Sequence, residues 1–219
     1  MNACAPSATA TRPFLALGDS YTIGEGVAVE GTWPAQLAGS LRAHGIAIDD
    51  PVVIAKTGWS TDELIVAIDT AALAPPYTLV TVLIGVNNQY RGRDIDNYRE
   101  ELAPLLRRAI ALAGARPQRV IVVSIPDWGV TRFACEQGRD PRHIGAQIDA
   151  FNAVAHALAT RADIGFVDIT GISRNAADRS DMWAADGLHP SAAQYALWTD
   201  AIMGVARHAL TERPPLRNS

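Results

Sequence analysis

Five short apolar runs, separated by longer stretches of helical period, set the strongest limit on how this 219-residue chain can fold. The runs are Phe14–Leu17, Val52–Ala55, Leu79–Ile84, Val120–Ile125 and Gly165–Asp168. Several are apolar without alternation, which is the pattern of strands buried on both faces of a parallel sheet. The stretches at about 32–44, 61–73, 97–114, 145–162 and 190–210 read as helices. Ser60, with Glu63 three residues on, fits a capping box. Pro190 stands where a helix can begin, because its missing N–H would be unpaired there anyway. Parallel strands joined through helices take right-handed crossovers. The expected fold is therefore a three-layer α/β/α sandwich on a flavodoxin-like, five-stranded parallel sheet of order 2-1-3-4-5.

A chain of this length suits a single domain, read here as residues 13–211, with flexible tails at 1–12 and 212–219. The formal net charge of −4 argues against a nucleic-acid binder or a stable membrane association, both of which need a basic field. No run of about 18 apolar residues offers a membrane span. The first residues lack the basic start and apolar core of a secretory signal. Cys4 and Cys135 lie far apart, so free thiols are the simpler expectation, and with them a cytoplasmic location. The oligomeric state is left open.

In an open α/β sheet, ligands bind outside the carboxyl ends of the strands. Four segments fall there: Gly18-Asp-Ser-Tyr-Thr-Ile-Gly-Glu-Gly26, Lys56-Thr-Gly-Trp-Ser60, Gly85-Val-Asn-Asn-Gln89 and Asp186-Gly-Leu-His-Pro190. Any one of them alone is more often a turn or a helix cap. Together and in this order they resemble the motif blocks of the SGNH hydrolases, the GDSL esterase/lipase family, over positions 18 to 190. The resemblance implies a serine nucleophile, Ser20, and an Asp-x-x-His pair, Asp186 and His189. It also implies an oxyanion hole made of the Ser20 N–H, the Gly58 N–H and the Asn87 side chain. The chain departs from many relatives at Asn88, where they carry aspartate, which puts the bracing of that loop in question.

The chemistry asks for the same residue types on its own account. A serine hydroxyl is a poor nucleophile unless an adjacent base takes its proton. Imidazole, with an ordinary pKa of about 6.5, accepts that proton and later returns it. A carboxylate on the other ring nitrogen fixes the tautomer and stabilises the imidazolium. Donors set in advance then meet the negative charge on the attacked carbonyl oxygen. Gly58 suits that task because a residue without Cβ lets its N–H approach substrate closely. The block around Ser20 is not the Gly-x-Ser-x-Gly elbow, which disfavours the α/β-hydrolase fold.

Around these groups, Asp19, Trp59, Tyr90 and Trp128 are the candidate substrate neighbours, with Asp19 also read as bracing its turn. Trp33 and Trp183 lie beside loops expected on the same side. Arg91 and Arg93 read as solvated loop charges more readily than as an anion site. The segment 126–138 is expected to border the pocket. His44, His156 and His208 read as surface or capping groups, and His143 as a loop residue without a role. No metal-ligand spacing or phosphate-binding glycine loop stands out, so neither metal nor cofactor is expected.

The expected activity is hydrolysis of carboxylic esters, with short acyl chains, through an acyl-serine intermediate. Carbohydrate deacetylation, acyl transfer and thioester cleavage would use the same intermediate. The partner is a small-molecule ester. A binding module without catalysis is the third reading, and the presence of Ser20, Asp186 and His189 stands against it.

Overall fold

In a computed structural model, residues 12–211 are described, so the expected tails lie outside or at the edge of that range. Five strands, β1 (Phe14–Gly18), β2 (Val52–Ala55), β3 (Leu79–Leu83), β4 (Val120–Val123) and β5 (Gly165–Val167), form one sheet. All neighbours are parallel and the order is β2-β1-β3-β4-β5. Leu15 sits beside Val52, Phe14 beside Leu79, Val80 beside Val120 and Ile121 beside Gly165. The unbroken apolar runs mark the inner strands: every residue of β1, β3 and β4 is buried, while the edge strand β2 is partly open.

Nine helices connect and cover the sheet among the described residues: α1 (Ser20–Ile23), α2 (Trp33–Ala43), α3 (Thr61–Thr70), α4 (Val86–Tyr90), α5 (Ile95–Leu112), α6 (Arg132–Glu136), α7 (Pro141–Arg161), α8 (Thr170–Asn175) and α9 (Ala192–Thr211). Helices α2 and α9 pack together on one face; α3, α5 and α7 lie side by side on the other. The first face is sealed by Trp33, Leu37, Leu41, Tyr195, Trp198 and Ile202, all fully buried.

Two helix starts differ from the sequence expectation. Helix α7 begins at Pro141, because Asp140 caps it by accepting the Arg142 N–H at 2.9 Å and Pro141 suits the first turn. His143 is therefore helical rather than a loop residue. Helix α9 begins at Ala192 and not at Pro190. The Ser191 carbonyl takes its first backbone bond, from Tyr195 N–H at 3.0 Å, so Ser191 is the cap. Pro190 is instead paired across a loop with Trp183. At the start of α3 the expected capping box is present: Glu63 accepts the Ser60 backbone N–H at 2.9 Å, and the Ser60 side chain accepts the Glu63 backbone N–H. The Ser60 hydroxyl also donates to the carboxylates of Glu63 and Asp62.

Candidate active site

Strand β1 ends at Gly18, where an added Cβ would meet the Leu83 carbonyl oxygen at 2.5 Å and the Thr22 hydroxyl at 2.1 Å. Only glycine lets β1 and β3 lie this close and still turn directly into α1. Asp19 caps the one-turn helix, its Oδ1 accepting the Tyr21 N–H at 3.0 Å. Ser20 is thereby the first residue of α1. As a helix's first N–H it has no intrahelical partner, and it makes no hydrogen bond among the described residues.

The Ser20 Oγ lies 3.0 Å from His189 Nε2, and His189 Nδ1 lies 2.6 Å from Asp186 Oδ2. The other Asp186 oxygen accepts the backbone N–H groups of Leu188 and His189 at 2.9 and 3.0 Å. Burial alone would raise the Asp186 carboxyl, but these bonds and the neighbouring imidazole outweigh it and hold the group below the ordinary carboxylate range. Behind the imidazole stands a column of rings. Tyr21 meets His189 edge-on at 5.5 Å, and Trp198 backs Tyr21 at 6.1 Å. The loop itself is pinned from α6: the Gly187 carbonyl accepts the Phe133 N–H at 3.1 Å, and the Ala185 carbonyl accepts from Arg132 at 3.0 Å.

The segments after β2 and β3 are tied to each other beside Ser20. Asn87 donates one Nδ2 hydrogen to the Trp59 carbonyl at 2.9 Å, leaving a second hydrogen free. Arg91 donates to the Gly58 carbonyl at 2.7 Å and pairs with Glu63 at 2.9 Å. Gly58 has φ +84°, and an added Cβ would meet only Arg91, at 3.9 Å. The glycine is thus required by backbone conformation rather than by crowding. Its N–H, like that of Ser20, is unused among the described residues.

Asn88 answers the question of bracing. Fully buried, it accepts the Thr61 N–H at 3.1 Å and donates to Glu101 at 3.2 Å. An aspartate here would point a second carboxylate at Glu101; the amide turns that contact into a hydrogen bond.

A pocket of about 200 Å³ opens over these groups, lined by Ser20, Gly58, Asn87 and His189 with Tyr21, Thr57, Val86, Tyr90, Trp128, Phe133 and Leu188. Of the substrate-neighbour candidates, Tyr90 and Trp128 line it, and Phe133 comes from the 126–138 segment. The other two substrate candidates do not reach it. Trp59 lines instead a hollow of about 670 Å³ along β2 and α3, which none of Ser20, Gly58, Asn87 and His189 line. Asp19 is wholly buried beneath α1. Trp33 is also buried, its indole N–H on the Tyr21 carbonyl at 3.1 Å, and Trp183 donates to the Ala176 carbonyl at 3.0 Å. Arg91 and Arg93 are loop charges at the surface, as expected, and each is held in an ion pair, Arg91 with Glu63 at 2.9 Å and Arg93 with Asp62 at 2.7 Å. Tyr21, Thr57, Val86 and Leu188 were missed as pocket residues. Their only sequence signal is adjacency to the four segments.

Burial pushes the Asp19 carboxyl up from 3.8 to about 7, only partly offset by the Tyr21 N–H, and its Oδ2 has no hydrogen-bond partner. The folded state thus keeps a proton that the unfolded chain releases, and stability is full below 3.8 and falls as pH rises towards about 7. The loss runs at about 1.4 kcal/mol per pH unit at most. Asp19→Asn keeps the acceptor for Tyr21 and removes the ionisation. Its Tm relative to wild type is expected to climb between pH 5 and pH 8. A difference that stays constant over that range would show that Asp19 does not titrate in this way.

Among the described residues, no three His, Cys, Asp or Glu side chains are placed to hold a metal ion, and no helix is long and apolar enough to cross a membrane.

The GDSL-like lipase/acylhydrolase family model matches residues 16–197. The GDSL lipase Rv0518 of Mycobacterium tuberculosis is 30% identical over 197 residues, covering 87% of this chain and 79% of that protein. The crystal structure of TesA matches with a TM-score of 0.72 at 20% identity, over 91% of this chain and 100% of that one. Axe2, an acetyl xylan esterase from Geobacillus stearothermophilus, matches with a TM-score of 0.68 at 20% identity, over 89% and 94%. The two structural likenesses speak for a shared fold.

Proposed function

We propose, from the premise that this chain belongs to the GDSL-like lipase/acylhydrolase family and is a carboxylic ester hydrolase, that it cleaves short-chain acyl esters through an acyl-serine formed on Ser20. One observation carries the reading. A single imidazole bridges a hydroxyl at 3.0 Å and a carboxylate at 2.6 Å, at the floor of a pocket.

In this mechanism His189 Nε2 takes the Ser20 proton as Oγ bonds to the ester carbon. Asp186, on Nδ1, holds the tautomer and meets the charge of the imidazolium. The carbonyl oxygen becomes an oxyanion facing the Ser20 and Gly58 N–H groups and the free Asn87 Nδ2 hydrogen. Return of the His189 proton to the leaving oxygen frees the alcohol and leaves acyl-Ser20. A water, deprotonated by His189, then attacks the acyl carbon and releases the carboxylic acid and Ser20.

The pocket's size supports short acyl groups: about 200 Å³ lies below the usual range for drug-sized ligands, and Trp128 and Phe133 wall it in. Sugar acetates fit the same space, and Axe2 acts on an ester of that kind. The test is a screen of 4-nitrophenyl esters from acetyl to decanoyl, alongside acetylated xylo-oligosaccharides. A fluorophosphonate would report the nucleophile by mass spectrometry. Label on Ser20 and a kcat/KM falling at least about tenfold between butyryl and octanoyl are expected, since each methylene without a place is worth up to about 0.8 kcal/mol. Label on another residue, or decanoyl as the best substrate, would refute the reading.

A further inference from the structure

One wall of the pocket carries a charge on its outer side. Tyr90 and Trp128 meet edge to face with centroids 5.3 Å apart, and both line the pocket. The Arg139 guanidinium lies over both rings, 5.7 Å from the Tyr90 centroid and 5.5 Å from that of Trp128. Its place is set by its backbone: Arg139 N–H donates to the Ala134 carbonyl at 3.0 Å as the chain leaves α6, and Asp140 then caps α7.

The other arginines near the site are engaged. Arg91 holds Glu63 and the Gly58 carbonyl, Arg93 holds Asp62, and Arg132 holds Glu136 and the Ala185 carbonyl. Arg139 has no carboxylate within ion-pair reach among the described residues. Nor does the ring pair need it for support. Trp128 is buried, and its indole N–H donates to Gln89 at 2.8 Å, which in turn donates to Gln147 at 2.7 Å.

A guanidinium stacked on aromatic faces keeps its in-plane N–H donors free, and those donors match a carboxylate or phosphate in pairs. On a chain of net charge −4, an unpaired cation at the pocket rim is also a local attractor for anions. We infer that the ester this protein acts on carries an anionic group, and that Arg139 receives that group where substrate emerges past Tyr90 and Trp128. The inference rests on the esterase reading above and narrows it to a substrate class. Arg139 is thus a specificity-determining residue.

The test compares esters of matched length with and without a carboxylate. On the acyl side, 4-nitrophenyl hemisuccinate, hemiglutarate and hemiadipate are set against their uncharged alkanoyl counterparts. On the alcohol side, 3-carboxyphenyl acetate is set against phenyl acetate. In low salt, at least one anionic ester is expected to exceed its neutral match by about tenfold in kcat/KM, chiefly through KM, the worth of one good charge-assisted pair. The side on which the preference appears tells which arm of the ester lies under the rings. Added salt should erode it. Arg139→Gln should abolish the preference, and Arg139→Lys, which keeps charge and stem, should retain part of it.

Failure of both readings can be told apart. Neutral esters that are not turned over would overturn the esterase reading itself. Neutral turnover with no wild-type preference for any anionic ester would overturn the role of Arg139. An equal loss on charged and neutral esters in Arg139→Gln would do the same, marking the residue as a clamp on Tyr90.

Discussion

Ser20→Ala is expected to lower kcat/KM for 4-nitrophenyl acetate by about 10⁴-fold or more, with the fold intact. The size follows from losing the nucleophile outright: the donors around the carbonyl oxygen would remain, but no acyl-enzyme could form. Little else depends on the hydroxyl. Its single hydrogen bond is to His189, it is buried to within 5% exposure, and Asp19 caps α1 without its help. Stability should therefore change by no more than about 1–2 kcal/mol. Steady-state assays with thermal denaturation on the same preparation separate the two effects. A variant retaining a tenth of wild-type activity at unchanged Tm would remove Ser20 from the chemistry.

The second large effect is expected at Asp186. Asparagine there keeps Oδ1, and with it the bonds from the Leu188 and His189 N–H groups that shape the turn. The change falls on the oxygen 2.6 Å from His189 Nδ1. An amide NH₂ in that place makes Nδ1 an acceptor, so the ring's proton moves to Nε2 and the nitrogen facing Ser20 can no longer accept. In the general triad scheme such a swap costs about 10⁴ in kcat. The expected signature is a loss in kcat of about 10³–10⁴ with KM little changed. Asp186→Ala should be no less harmful and should also loosen the turn, seen as a lower Tm. An Asp186→Asn enzyme with kcat within a factor of ten of wild type would show that the carboxylate does not set the tautomer.

The two cases show what could be read in advance. Strands were legible because a parallel strand buried on both faces writes itself as a continuous apolar run, as in Leu79–Leu83. The residues around Ser20 were legible because four segments, three of them directly after strands, resemble in order the motif blocks of the SGNH hydrolases. Helices α1, α4, α6 and α8 were not, since four to six residues hold fewer than two turns of period. Side-chain direction was hidden too. Trp59 neighbours Gly58 in sequence, yet only the fold shows that it turns to the outer edge of the sheet while its carbonyl serves Asn87. Arg91 and Asn88 find their partners, Glu63, Gly58, Thr61 and Glu101, across separate elements. Such partnerships are decided by tertiary meeting and leave no local trace.

The hydroxyl and the imidazole that meet in the pocket lie 169 positions apart, and the second is carried on a loop that leads straight into the last helix. A chain still emerging from the ribosome therefore cannot join the two until the residues through His189 have been made and their loop has closed over the sheet. If the proposed roles hold, turnover reads out completed folding of this stretch, and a nick that frees α9 from the loop before it is expected to lower activity.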